Sequence, residues 1–182
     1  MEVEVKARLK SLEEIKKKLE SLGAKFLAPV EQRDAYFKPK GFDEKKQGPG
    51  DWVLRIRSSN GKSILTLKIL TEILGAWHEY ETGIEKEEQA KKILAAMGLV
   101  NVFTLNKTRA YGALEGFELC LDNVKELGYY LEVALESEEK EGSRNKIISF
   151  LKKIGIAEQD IEKRGYGEII GEKLGHKFSG MR

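Results

Sequence analysis

The chain has one cysteine, two histidines and three prolines in 182 residues. A single thiol, Cys120, excludes an intrachain disulfide framework. His78 and His176 stand far apart and form no Cys/His pattern with zinc spacing. No apolar run approaches the roughly 18 residues of a membrane-crossing helix. The first residues read as a charged strand rather than a leader, so a soluble, cytoplasmic protein is expected. Nor is charge of one sign in excess. With 32 Lys and Arg against 30 Asp and Glu, the formal net charge is only +2. That balance removes the electrostatic case for a nucleic-acid or membrane-surface partner.

What the chain does have is charge in quantity. Charged residues make up 34% of it, against about 25% in ordinary globular proteins. Lys/Glu enrichment of this kind is the profile of heat-adapted proteins, so a thermophilic source is expected. The length predicts one domain, over 1–171, followed by a weakly patterned tail, 172–182.

Two helices are punctuated clearly. Ser11-Leu12-Glu13-Glu14 is a capping box before Ile15, Leu19 and Leu22, with Gly23 as the stop. Ala90, Ile93, Leu94 and Met97 form a second apolar stripe ending at Gly98. A third helix is predicted from near Ser143 to Gly155, and a short fourth over 158–164. The remainder alternates at period two and reads as about eight strands: 2–9, 32–38, 52–58, 62–70, 77–82, 103–111, 117–121 and 129–136. Ser59-Asn60-Gly61 predicts a hairpin turn. The expected fold class is α+β: an eight-stranded antiparallel closed β-barrel with helices packed outside.

The strand faces carry the functional signal. Successive side chains of a strand point to opposite faces. Glu2, Glu4 and Lys6 therefore share one face and Val3 and Val5 the other. The same division recurs: Arg55 and Arg57 against Leu54 and Ile56; Thr66 and Lys68 against Leu65 and Leu67; Glu79 and Glu81; Lys107 and Arg109; Glu118, Cys120 and Asp122; Glu132, Ala134 and Glu136. Two arrangements account for this. In one, an open sheet has a wet outer face laced with cross-strand ion pairs, each worth about 0–1 kcal/mol. In the other, the apolar faces pack outward on the helices and the charged faces line a polar tunnel, able to bind a polyanion with its metal ions.

The motifs in order resemble the CYTH superfamily, the triphosphate tunnel metalloenzymes. They are Glu2-Val-Glu4-Val-Lys6, Arg55-Ile-Arg57, Thr66-Leu-Lys68, Glu79-Tyr-Glu81, Lys107-Thr-Arg109, Asp122-Asn-Val124, and Gly128 followed by Glu132. Gln32-Arg-Asp34-Ala-Tyr36-Phe37 is similar to the family's second strand. The resemblance runs from Glu2 to about Ile170 and is closest to proteins of the class IV adenylyl cyclase type. It implies a closed eight-stranded tunnel in which Glu2, Glu4 and Glu132, with Asp122 and Glu81 as further candidates, hold Mg²⁺ or Mn²⁺. It implies that Lys6, Arg55, Arg57, Lys68, Lys107 and Arg109 grip the triphosphate, with Lys6, Glu4 and Arg57 closest to the chemistry. Ala134 departs from the family, many of whose members carry a second acid there. Glu136 shares the face about 7 Å further along.

The resemblance implies phosphoryl or nucleotidyl transfer. A class IV adenylyl cyclase converts ATP to 3′,5′-cyclic AMP and pyrophosphate. An inorganic or thiamine triphosphatase hydrolyses the terminal phosphate instead, and a non-catalytic polyphosphate or nucleotide binder is a third option. A homodimer is compatible with all three. Trp52 and Trp77 are expected in packing roles before base stacking, and Cys120 as a small buried side chain rather than a nucleophile. His78 is expected on the face away from Glu79, and Gly48-Pro49-Gly50 as a plain loop before a lid.

Overall fold

The computed structural model describes residues 2–42, 50–70, 77–136, 140–162 and 164–173, with the backbone alone for Glu2, Leu70, Trp77, Lys140, Glu141 and Glu168. Gly48, Pro49, His176 and most of the expected tail lie outside the described residues. The chain forms two compact units. One comprises Met1–Val30 and Lys107–Arg164, the other Glu31–Asn106 and Gly165–Arg182.

In the first unit, β1 (Glu2–Leu9) pairs antiparallel with β9 (Gly128–Glu136) and on its other edge with the two-residue β10 (Ile161–Glu162). β9 pairs with β8 (Phe117–Val124), and β8 with the C-terminal half of β7 (Leu99–Leu114). A further two-residue strand, β2 (Lys25–Phe26), also pairs with β7. Helix α1 (Leu12–Ser21) starts where Ser11 Oγ accepts the Glu14 amide at 3.3 Å. It ends ahead of Gly23, whose φ of +101° only glycine adopts without strain. Helix α3 (Lys140–Lys153) begins earlier than its apolar stripe predicts. Val3, Val5 and Ala7 of β1, Leu119 and Leu121 of β8, and Leu131 and Val133 of β9 form one core with Ile15 and Leu19 of α1, Ile147 and Leu151 of α3, and Ile154 just beyond it. The apolar strand face is thus the helix-covered one, and the charged face lies on the opposite side of these strands.

In the second unit, β3 (Val30–Pro39), β4 (Trp52–Ser59), β5 (Lys62–Leu70) and β6 (Trp77–Ile84) run in antiparallel succession. The N-terminal half of β7 joins β3. The β4–β5 turn has positive φ at both Asn60 (50°) and Gly61 (72°), the twist that a two-residue hairpin requires. Ala35, Phe37, Leu54 and Ile56 pack with Leu94 of α2 (Glu87–Ala96), and Trp52 packs partly buried against the same cluster. His78 lies across from Ile69, on the face away from Glu79.

All eight expected strands form, as part of an antiparallel α+β fold with four helices among the described residues. Two expectations are corrected, and closure is not among the observed pairings. Two short strands, β2 and β10, add to the eight. Where the short fourth helix was expected, residues 158–162 make a 3₁₀ turn, Glu158–Asp160, then β10, and the fourth helix is α4 (Tyr166–Lys173), beyond Gly165. The ladders run in the order β10-β1-β9-β8-β7-β3-β4-β5-β6, and among the described residues none joins β6 to β10. Closure by hydrogen bonds is therefore not observed. No helix among the described residues is long and apolar enough to cross a membrane.

Candidate functional site

The ladders bring charges together that are far apart in sequence. In the first unit Lys6 lies directly across from Glu132, Glu132 across from Cys120, and Asp122 across from Arg109. Their side chains form a row of alternating sign. The Arg109 Nε and Nη2 donate to Asp122 Oδ1 and Oδ2 at 2.7 and 2.5 Å. The Arg109 Nη1 lies 3.1 Å from Glu132 Oε1, and Lys6 Nζ lies 3.2 Å from Glu132 Oε2. Lys6 Nζ also donates to Glu4 Oε1. Lys107 Nζ approaches Asp122 Oδ2 at 3.8 Å. Lys6, Lys107, Arg109, Asp122 and Glu132 are buried, whereas the Glu4 side chain is 48% exposed. The row is thus open at Glu4.

Burial and charge act against each other here. Burial favours a neutral Glu132, but Lys6, Arg109 and Lys107 outweigh it and hold the carboxyl well below the usual range. Burial likewise works against the Lys6 ammonium, and Glu132 and Glu4 overcome it, keeping Lys6 above its ordinary value. Cys120 lacks such compensation. Burial, with Glu132 and Asp122 nearby, pushes its thiol up to about 12 despite Arg109, so it is protonated at neutral pH and no nucleophile.

The second unit carries its own charged face. Asp34 lies across from Arg57, Tyr36 from Arg55, Arg55 from Thr66, and Thr66 from Glu81. Arg57 Nε and Nη2 both donate to Asp34 at 2.7 Å. Arg55 Nη2 donates to Thr66 Oγ1 at 3.1 Å and approaches Glu81 Oε1 at 3.4 Å; Thr66 Oγ1 donates to that same oxygen at 2.7 Å. The Thr66 hydrogen bond is the main reason the Glu81 carboxyl sits below its usual range. Lys68 Nζ lies 2.8 Å from Glu79 Oε2. The buried Lys38 donates to the Trp52 carbonyl, with its ammonium over the Phe42 ring at 4.2 Å.

The expected residues therefore fall into two sets. Glu4, Lys6, Lys107, Arg109, Asp122 and Glu132 meet in the first unit, and Arg55, Arg57, Lys68 and Glu81 in the second. Several partners were not singled out for a role in the sequence. Thr66 shares the parity of Lys68, and Tyr130, fully buried and across from Asp122, that of Glu132, so strand alternation was an available signal for both. Asp34 and Tyr36, on a strand with no assigned residue, and Glu162, bound by both Nε and Nη2 of Arg164 at 2.8 Å, gave none.

The donor set bears on whether a divalent ion fits. Among the described residues no three acidic, His or Cys side chains gather as a ready metal cluster. Two carboxylates, Glu4 and Glu132, do converge on one point, the Lys6 ammonium. Side by side they would repel, so that ammonium stands where positive charge is required. All-oxygen donors of this type fit Mg²⁺ or Mn²⁺. Glu2 lies two residues along the same strand, with its backbone across from Glu136.

Comparison with known proteins agrees with the ordered motifs. The CYTH domain family matches residues 1–166. A Methanocaldococcus jannaschii protein named "Putative adenylate cyclase" is 29% identical, the alignment covering 94% of this chain and 99% of the relative. A Pyrococcus horikoshii protein of solved structure is 30% identical with a TM-score of 0.77, covering 92% of this chain and 98% of its own. A Hippeastrum structure, described as a putative adenylyl cyclase with a dominant triphosphatase activity, shares the fold at 20% identity and a TM-score of 0.67, covering 96% of this chain and 95% of its own. With a family match over nearly its whole length, this chain belongs to the CYTH domain family.

Proposed function

We propose that the protein is a metal-dependent enzyme acting on a triphosphate-containing substrate, and specifically that it converts ATP to 3′,5′-cyclic AMP and pyrophosphate. The observation that supports this is the row Asp122–Arg109–Glu132–Lys6–Glu4, buried as far as its exposed Glu4 end. Burying charge is costly even when it is paired, and apolar residues of like size often fill the same space at no loss of stability. A row of this kind suits a charged ligand.

Glu4 and Glu132, with Glu2 beside them on β1, are assigned to hold Mg²⁺ or Mn²⁺. When bound, the ion supplies Lewis acidity at a phosphoryl oxygen. Lys6, Lys107 and Arg109 donate to the phosphate oxygens and take up charge as it develops on the leaving pyrophosphate. By family likeness Arg55, Arg57 and Lys68 are assigned to triphosphate binding and Glu81 to metal binding. In the cyclase reaction the ribose 3′-hydroxyl attacks the α-phosphorus and pyrophosphate departs. Fixed cations act mainly through positioning and electrostatics, which supply most of the catalysis in phosphoryl transfer. We also read the chain as a cytoplasmic, heat-adapted protein with one family domain over 1–171.

Hydrolysis of inorganic or thiamine triphosphate is the second reading. It is favoured by the exposure of Glu4, which gives water access to the open end of the row. To separate the readings, the protein is incubated with Mg²⁺ or Mn²⁺, at moderate and high temperature, against ATP, inorganic triphosphate and thiamine triphosphate. Cyclic AMP with pyrophosphate supports the cyclase. Phosphate released from either triphosphate supports the hydrolase. Saturable binding without product defeats both and leaves a binder.

A further inference from the structure

Asp122 is placed to do something other than hold a metal. It lies directly across the β7–β8 ladder from Arg109 and is fully buried. Each of its oxygens accepts from one nitrogen of a single guanidinium edge, Nε at 2.7 Å and Nη2 at 2.5 Å. Lys107 adds a second cation 3.8 Å from Oδ2. A hard divalent ion would compete with two cations for this carboxylate, whose two oxygens each already accept one guanidinium hydrogen bond.

The second unit repeats the arrangement independently. Asp34, 1% exposed, lies directly across from Arg57 and accepts from the same two nitrogens, Nε and Nη2, at 2.7 Å each. In both cases the arginine closes a cation-x-Arg pair on its strand, Lys107-Thr108-Arg109 and Arg55-Ile56-Arg57. A bidentate fork fixes the guanidinium plane, which a single hydrogen bond leaves free to turn. In the first unit the consequence is visible, since the remaining Nη1 of Arg109 points at Glu132 Oε1, 3.1 Å away.

We propose that Asp122 and Asp34 are positioning residues, each orienting one anion-gripping arginine, and that Asp122 is not a metal ligand. The assignment rests on the triphosphate reading above. Its consequence is that these carboxylates, which touch no substrate, set the affinity for the polyanion, while the demand for metal is set elsewhere.

The test is calorimetric titration with inorganic triphosphate in the presence of a chelator, using the wild-type protein and the variants D122N, D34N and D122E. The Mn²⁺ concentration giving half-maximal turnover is measured alongside. D122N and D34N are each expected to weaken triphosphate binding by about tenfold, the scale of one lost charge-assisted fork. D122E, which restores the carboxylate, recovers part of it. Half-maximal Mn²⁺ moves by less than about twofold, because no ligand is removed. In an R109K background the added D122N change weakens binding by less than about twofold, since the aspartate acts through that arginine. If D122N binds triphosphate as the wild type does but needs about tenfold more Mn²⁺, Asp122 is a metal ligand and the proposal falls. Should D122N fail to fold, D34N decides: unchanged binding there overturns the positioning role. A wild-type protein that binds no triphosphate overturns the functional reading and this assignment with it.

Discussion

Replacing Glu132 by glutamine removes one charge from the middle of the row while nearly preserving volume. In the folded protein this carboxylate contacts Arg109 at 3.1 Å and Lys6 at 3.2 Å, with Lys107 adding a longer-range attraction. Glutamine offers one oxygen and one NH₂, so one of the two cations would face a donor. Breaking a buried ion pair from one side costs about 3–5 kcal/mol, because the surviving charge stays buried. Here Lys6 keeps Glu4 and Arg109 keeps Asp122, which places E132Q at the lower end, near 3 kcal/mol. For a chain of this length that is roughly 6–12 °C in melting temperature. The pH dependence has a definite sign. The folded Glu132 carboxyl is lowered from its ordinary 4.5, so its contribution is complete above about 4.5 and is lost as pH falls through the lower folded value. Urea titrations of wild type and E132Q at pH 7 and again near pH 3 should show a gap that narrows on acidification. Equal stability at pH 7, or a gap that widens in acid, would falsify the charge row.

Glu4→Gln should abolish metal-dependent turnover with little change in melting temperature, because Glu4 is the half-exposed end of the row; full activity would refute its metal role. Glu87 lies elsewhere, accepting from Ser58, Ser63 and Lys91 at 2.5 to 2.7 Å. Burial raises its carboxyl, but those partners prevail and hold it at about 2. E87Q is therefore expected to lower stability by about 1–2 kcal/mol at pH 7, discounted for solvent screening, with the effect fading as pH drops from 4.5 towards 2. A loss that persists undiminished in acid would contradict this. Cys120, its thiol near 12, should react with iodoacetamide at pH 8 far more slowly in the folded protein than in urea; equal rates would show it unburied.

How much of this could be read from the chain differs by level. Strand identity was legible because Val3/Val5 against Glu2/Glu4 and Leu54/Ile56 against Arg55/Arg57 alternate without interruption. The register was not legible, since nothing local says that Lys6 will face Glu132 or that Asp122 will face Arg109. Those pairings come from turns and from cores such as Val5, Val133 and Leu119 packing on Ile147. The same limit explains the misread 158–164 segment. Its charged residues suit a helix on propensity, yet Ile161 and Glu162 extend beside β1, across from Ala7 and Lys6. A tertiary pairing overrode a weak local preference. Register also decides the fate of Asp122, which by motif joins the metal-binding acids and by geometry joins Arg109.

The alternation of sign is what lets so many buried charges stand together. Three cations on one buried face, Lys6, Lys107 and Arg109, would repel one another, and so would Glu4, Glu132 and Asp122 if grouped alone. Interleaved, each charge is held by a neighbour of opposite sign, and the cations are fixed before any substrate arrives. That matters for catalysis, because donors already in place need no reorganisation when charge develops. It also sets a limit on affinity, since an incoming polyanion must draw Lys6 and the Nη1 edge of Arg109 away from Glu132. A cation delivered to Glu132 and Glu4 would relieve that competition. Divalent ion and polyanion should accordingly strengthen each other's binding, by the same factor in either order of addition. A non-hydrolysable triphosphate titrated at several fixed Mn²⁺ concentrations, corrected for their complex in solution, measures that factor. A value of one would mean that Lys6 and Arg109 are not released by metal, and the row would then be a structural lock rather than a primed grip.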